Sequence, residues 1–85
     1  MSDGVVVWLV EREFTDKGLV TLTYATPDGE RALVEQRSAT QLGAVTAARE
    51  VAPDRLAPVE GEADRARYAD EVDRMAGRHD PGDTV

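Results

Sequence analysis

Ser38-Ala39-Thr40-Gln41-Leu42-Gly43-Ala44-Val45-Thr46-Ala47-Ala48-Arg49-Glu50-Val51-Ala52-Pro53 is the stretch on which the architecture of this chain turns. Ser38 is a good N-cap residue. Gln41, three positions later, completes a capping-box pattern in which each side chain satisfies a backbone N–H that the first helical turn leaves free. Leu42, Val45, Ala48 and Ala52 recur at three- and four-residue spacing and would form the apolar stripe of a helix. Pro53 disfavours helical geometry at the residue before it and stops the pattern. The spacing therefore predicts a helix from about Ala39 to Val51.

Upstream, the chain reads as strands. Val5-Val6-Val7-Trp8-Leu9-Val10 is a run of β-branched and aromatic residues that continues in alternation to Phe14. Alternation places Val6, Trp8, Val10 and Phe14 on one face and Val5, Val7 and Leu9 on the other. Thr15-Asp16-Lys17-Gly18 is a turn signal, followed by a half-buried strand from Leu19 to Ala25 with Val20, Leu22 and Tyr24 on one face. Thr26-Pro27-Asp28-Gly29 is a second turn. The third strand, Glu30 to Arg37, has Ala32 and Val34 on one side and Arg31, Leu33, Glu35 and Arg37 on the other, and its charges suit a sheet edge.

Downstream, Pro53 to Val59 is a two-proline connection anchored by Leu56 and Val59. A second helix runs from Glu60 or Gly61 to Ala76, with Gly77 as its stop. Glu60, Glu62 and Asp64 suit its positive end and Arg74 and Arg78 its negative end, while Tyr68, Val72 and Met75 make a narrow apolar stripe. The expected fold class is α+β: a three-stranded antiparallel meander followed by two helices (βββαα). Residues 1–77 form one domain, and Arg78 to Val85 is expected to be a mobile tail.

Composition excludes several function classes. The chain has 85 residues, 17 acids against 10 bases, a net charge of -7, no cysteine and one histidine, His79. Absence of cysteine removes disulfides, thiolate nucleophiles and thiolate-bound metals. A lone histidine supports neither a multi-histidine metal centre nor a Ser/His/Asp triad, and His79 beside Asp80 is read as solvated. An acidic surface disfavours binding to nucleic acid and to anionic membranes, because those affinities come from Lys and Arg. No run reaches the roughly 20 apolar residues of a membrane span, and Met1-Ser2-Asp3-Gly4 lacks the basic stretch of a signal peptide, so the expectation is a cytoplasmic protein.

Nine of the ten bases are Arg and only Lys17 is lysine; Ile and Asn are absent, and Ala and Val supply 12 and 11 residues. In these features the chain resembles the small acidic proteins of extremely halophilic archaea. That resemblance implies a salt-rich surrounding in which seven excess negative charges are screened within a few ångströms. A GC-rich genome would produce the same bias.

No phosphate-binding glycine loop, dinucleotide fingerprint or nucleophile elbow is present, and no cofactor is expected. Glu11, Glu13 and Glu35 lie on strands and could pair for acid–base chemistry, and Arg12, Arg31 and Arg37 could gather an anion, with cross-strand ion pairs the plainer reading. A ligand could sit near Trp8, Arg12 and Tyr24. A helix-turn-helix over Ala39 to Met75 fits poorly, since its second helix would turn Asp70, Glu71 and Asp73 toward phosphate. Strand 1, apolar on both faces and at an edge of the meander, needs a cover. The expectation is a symmetric homodimer with Val5, Val7, Trp8, Leu9, Tyr68, Val72 and Met75 as interface candidates; a monomer with strand 1 central between strands 2 and 3 is the competing topology. The expected function is a non-enzymatic structural or protein-interaction module. A small-ligand-binding regulatory domain is the alternative, with a DNA-associated regulator behind it.

Overall fold

The computed structural model describes residues 4–85; the polar start Met1-Ser2-Asp3 lies outside the described residues. Three long strands come first: β1 (Val5–Phe14), β2 (Leu19–Ala25) and β3 (Arg31–Ser38). The two turns between them use glycines at positive φ, Gly18 (74°) and Gly29 (73°), a region other residues rarely enter. In the second turn the Thr26 hydroxyl donates to the Asp28 carboxylate, which also accepts the Glu30 N–H, and the Gly29 N–H reaches the Thr26 carbonyl at 2.8 Å.

Beyond β3 the structure overturns the expected βββαα class. Among the described residues there are five antiparallel strands in one sheet and a single α-helix, not three strands and two helices. The segment expected to be a helix over 39–51 begins as one 3-10 turn, Ala39–Gln41, and then runs extended into β4 (Ala48–Val51). Gly43 adopts a φ of 65°, which ends any helix just after the turn, and the β-branched pair Val45-Thr46 favours extended chain. Ser38 does not cap through its side chain; its hydroxyl bonds that of Thr40 at 2.9 Å. Leu42, Val45 and Ala48 are buried or half-buried, as a helical stripe would be, but Leu42 closes the 3-10 turn and Ala48 opens a strand. After a second 3-10 turn, Pro53–Arg55, the two-residue strand β5 (Ala57–Pro58) precedes α1 (Glu62–Arg78), which continues through Gly77 rather than stopping there.

The strand order is β4-β1-β2-β3-β5. Strand β1 is therefore central, but between β2 and β4 rather than between strands 2 and 3. Val5, Val6, Val7 and Trp8 stand opposite Val51, Glu50, Arg49 and Ala48. The two-faced apolar strand thus gains its second neighbour from its own chain, and the segment that supplies it is the one expected to be the first helix.

A bulge alters the faces of β1. The register with β2 shifts between Leu9 and Glu11, so Trp8 lies opposite Ala25 while Phe14 lies opposite Val20. Val20 and Ala25 point to opposite faces of β2, so Trp8 and Phe14, expected on one face, are on two. One face of the sheet carries the aliphatic core: Val7, Leu9, Val20, Leu22, Tyr24 and Leu33, closed by Val45 and Val51, with Leu42, Leu56, Met75 and Val85 packed against it. The first half of helix α1 lies over the other face, where Arg67 reaches Glu11 at 3.7 Å; further along it Val72 is buried and Met75 packs against the aliphatic core. Gly29 sits directly beneath it: a β-carbon there would collide with the Arg65 carbonyl and crowd the Ala69 nitrogen.

The residues expected to form a mobile tail run back along the 45–48 segment. Ala47 and Ala48 donate to the carbonyls of Asp83 and Pro81, Val85 donates to the Val45 carbonyl at 2.8 Å, and Thr46 bridges Thr84.

Candidate functional site: an open strand edge beside a cleft

Among the described residues, strand β3 has β2 on one side and only the short β5 on the other. The Thr26 N–H donates to the Arg31 carbonyl at 3.0 Å, so the main chain of Arg31 faces β2. In an antiparallel ladder this direction alternates, which turns Leu33, Glu35 and Arg37 toward β2 and Ala32, Val34 and Gln36 outward. Strand β5 meets only the first part of that outward row, with Ala32 opposite Ala57 and the Glu30 carbonyl accepting the Val59 N–H at 2.8 Å. From Val34 to Gln36 no backbone partner stands on the outer side among the described residues. The Ala39 N–H adds one more rung with the Gly18 carbonyl at 2.8 Å, and the chain then leaves this edge through the 3-10 turn Ala39–Gln41, which brings Leu42 onto the core. Val34 is 62% exposed at this open stretch.

The two faces of the edge differ. On the helix side, Val34 borders a cleft of about 240 Å³ shared with Thr23, Val59, Glu60, Asp64 and Tyr68. Val59 and Tyr68 provide apolar lining, and the exposed residues Glu60 and Asp64 add acidic side chains to it. Asp64 and Tyr68 are themselves engaged by Arg67, at 3.6 Å and in a cation–π stack at 5.1 Å. On the core side, Glu35 is held between two guanidinium groups. Arg37 donates to its Oε1 from Nη2 at 2.8 Å and from Nε at 3.0 Å, and Arg49 donates to its Oε2 at 2.7 Å. Burial pushes the Glu35 carboxyl up, but the hydrogen bonds and positive charge of Arg37 and Arg49 outweigh it, and the net shift is downward. Arg49 also stacks on the Tyr24 ring at 5.3 Å, and Arg37 reaches the Leu42 carbonyl at 3.3 Å, so the network closes over the aliphatic core.

The residues singled out from the sequence are dispersed. Of the interface candidates, Val7, Leu9 and Val72 are buried within the chain; Val5 and Met75 are half-buried against its core; Trp8 is half-buried on the helix face and Tyr68 lines the cleft. Trp8 and Tyr24 lie on opposite faces of the sheet, so the Trp8, Arg12 and Tyr24 neighbourhood does not assemble into one ligand site. Glu11 and Glu13 share the face of Thr23 and Thr21, whereas Glu35 is on the other, so the carboxylates are not paired across a cleft. Of the three arginines considered for an anion, Arg37 is committed to Glu35. With no helix over 39–51, the helix-turn-helix has no first helix. His79 faces Asp83 at 3.9 Å, and among the described residues no group of three or more His, Asp and Glu side chains is placed to hold a metal ion. No helix among them is long and apolar enough to cross a membrane.

The open edge was marked in the sequence only by the charge-rich third strand, whose pattern suits an edge. The cleft had no such signal, since its walls come from β3, the segment 57–60 and α1, which meet only when folded. No curated protein and no solved structure matches this chain. A family model does match it, over residues 1–85, and the chain belongs to that family, DUF7967, a family of unknown function.

Proposed function

We propose that this chain is a non-enzymatic protein-interaction module that acts as a homodimer, and that its binding element is the open edge of β3. The observation that carries this reading is the row of backbone groups at Val34 and Gln36 that have no partner among the described residues, beside an exposed valine. An unpaired strand edge is a template for another strand, and main-chain hydrogen bonds supply affinity there whatever the side chains are. Strand β1, paired on both sides, no longer calls for a partner. Light scattering of wild type and Gln36→Pro tests the proposal. The substitution removes an outward N–H and leaves the ladder with β2 in place. A wild-type dimer that becomes a folded monomer supports the reading; a dimer indifferent to the proline places the interface elsewhere, and a wild-type monomer at all concentrations rejects the homodimer.

A second reading, small-ligand binding, is favoured by the cleft, whose apolar lining and acidic side chains suit an alkylammonium group. Titrating the protein with butylammonium chloride tests it. Saturable NMR shifts at Val34, Val59 and Tyr68 support it, and unchanged spectra reject it.

A further inference from the structure

We propose that the two copies of the homodimer pair β3 with β3 in one specific register, antiparallel about a twofold axis at Gln36, so that each copy's Arg37 stands opposite the other's Glu35. The inference rests on the homodimer reading above and specifies its seam.

Four registers bring outward-facing main chain to outward-facing main chain near the open stretch. A twofold at Val34 would place Gln36 of one copy opposite Ala32 of the other, where β5 already stands with Ala57. A twofold at Glu35 pairs Val34 with Gln36, but sets the two Glu35 carboxylates face to face across a pair whose Cα atoms lie about 4.5 Å apart. A twofold at Arg37 does the same to two guanidinium groups. Like charges directly opposite one another are destabilising, opposite charges stabilising. Only the twofold at Gln36 meets every condition. It pairs Gln36 with Gln36 and Val34 with Ser38, which keeps the incoming strand clear of β5. It also places a Glu35 opposite an Arg37 twice, once on each side of the axis.

The structure already holds these groups in position. Glu35 is fixed by Arg37 and Arg49, so carboxylate and guanidinium are ordered at the edge before a partner arrives. Directly after Ser38 the chain enters the 3-10 turn Ala39–Gln41 and then places Leu42 against the aliphatic core, so neither copy's continuation obstructs the other. The axis stands perpendicular to the sheet, which carries both α1 helices onto the same face and sets the two clefts on either side of the seam.

Disulfide trapping in the full chain tests the register, and the absence of native cysteine makes any introduced thiol unique. Gln36→Cys and Val34→Cys are compared under mild oxidation, with light scattering of wild type alongside. In the proposed register the two Gln36 positions have Cα atoms about 5.5 Å apart, within disulfide reach. The two Val34 positions are separated by four residues along the seam, roughly 13 Å. The expected result is a dimeric wild type, conversion of most of the Gln36→Cys chain to a covalent dimer, and no cross-link for Val34→Cys. A dimeric wild type with the cross-link at Val34→Cys instead, or at neither position, overturns the register and leaves the homodimer reading standing. A monomeric wild type overturns both.

Discussion

Gly18 and Gly29 have nearly the same backbone conformation, φ of 74° and 73°, yet different surroundings. A β-carbon at Gly18 would meet nothing within 4 Å, whereas at Gly29 it would strike the backbone of α1 at Arg65. Gly18→Ala should therefore cost only the left-handed strain, about 1 kcal/mol. Gly29→Ala carries the same strain and must also displace the helix, so its loss should exceed that of Gly18→Ala by about 2 kcal/mol or more. Urea unfolding of the two variants measures the difference, and equal losses would mean that α1 does not rest on the turn. Glu35 offers a second test at single-residue resolution. Because its folded pKa is depressed, its contribution is present above the unfolded carboxylate value, near 4.3, and is lost as pH falls through the lower folded value. Stability should drop as the pH is lowered through and below the ordinary glutamate value, with a shallower slope in Glu35→Gln. Identical slopes would show that the Arg37 and Arg49 contacts carry no linked proton.

Among the elements, the first three strands are legible in the sequence because alternation and turn chemistry are local. Thr15 to Gly18 and Thr26 to Gly29 mark both turns, and the strands fall where the alternation places them. The stretch from Ser38 to Pro53 reads as a helix for a physical reason: apolar spacing of three and four is shared by a helix stripe and by an extended segment whose burial comes from several neighbours. Gly43 is the residue that argues against the helix, at about 1 kcal/mol of propensity, and its positive φ ends the 3-10 turn. The bulge at Val10 has no readable sign, since alternation is apolar on both of its sides. The C-terminal residues pair with 45–48 through backbone groups, which carry no side-chain signature. Deleting 80–85 should therefore lower the melting temperature by several degrees and speed amide exchange at Ala47 and Ala48. Unchanged exchange at those two amides would show that the segment is held without its C-terminal neighbour.

For the whole molecule, charge opposes self-association. Two copies bring together seven net negative charges each, and the Debye length shrinks from about 10 Å at 0.1 M salt to about 3 Å at 1 M. The cross-copy Glu35 and Arg37 pairs act at shorter range than that repulsion. The dimer should accordingly tighten as KCl is raised over this range, as sedimentation or light scattering would report. A dimer that dissociates in salt would mean that ion pairs, not backbone pairing, hold the seam. Tightening would suit the salt-rich setting that the composition resembles.

Composition, the acidic balance, the strand alternation from Val5 to Arg37 and the approximate span of the last helix are all readable along the chain, because each depends on a residue and its near neighbours. Strand order, the central place of β1, the 3-10 turn and β4 that stand where a helix over 39–51 is expected, and the open stretch of β3 beside its cleft depend on which distant segments meet. Backbone hydrogen bonds make those choices, and they are nearly the same for every residue type, so the sequence pattern carries little trace of the partner each strand finally takes.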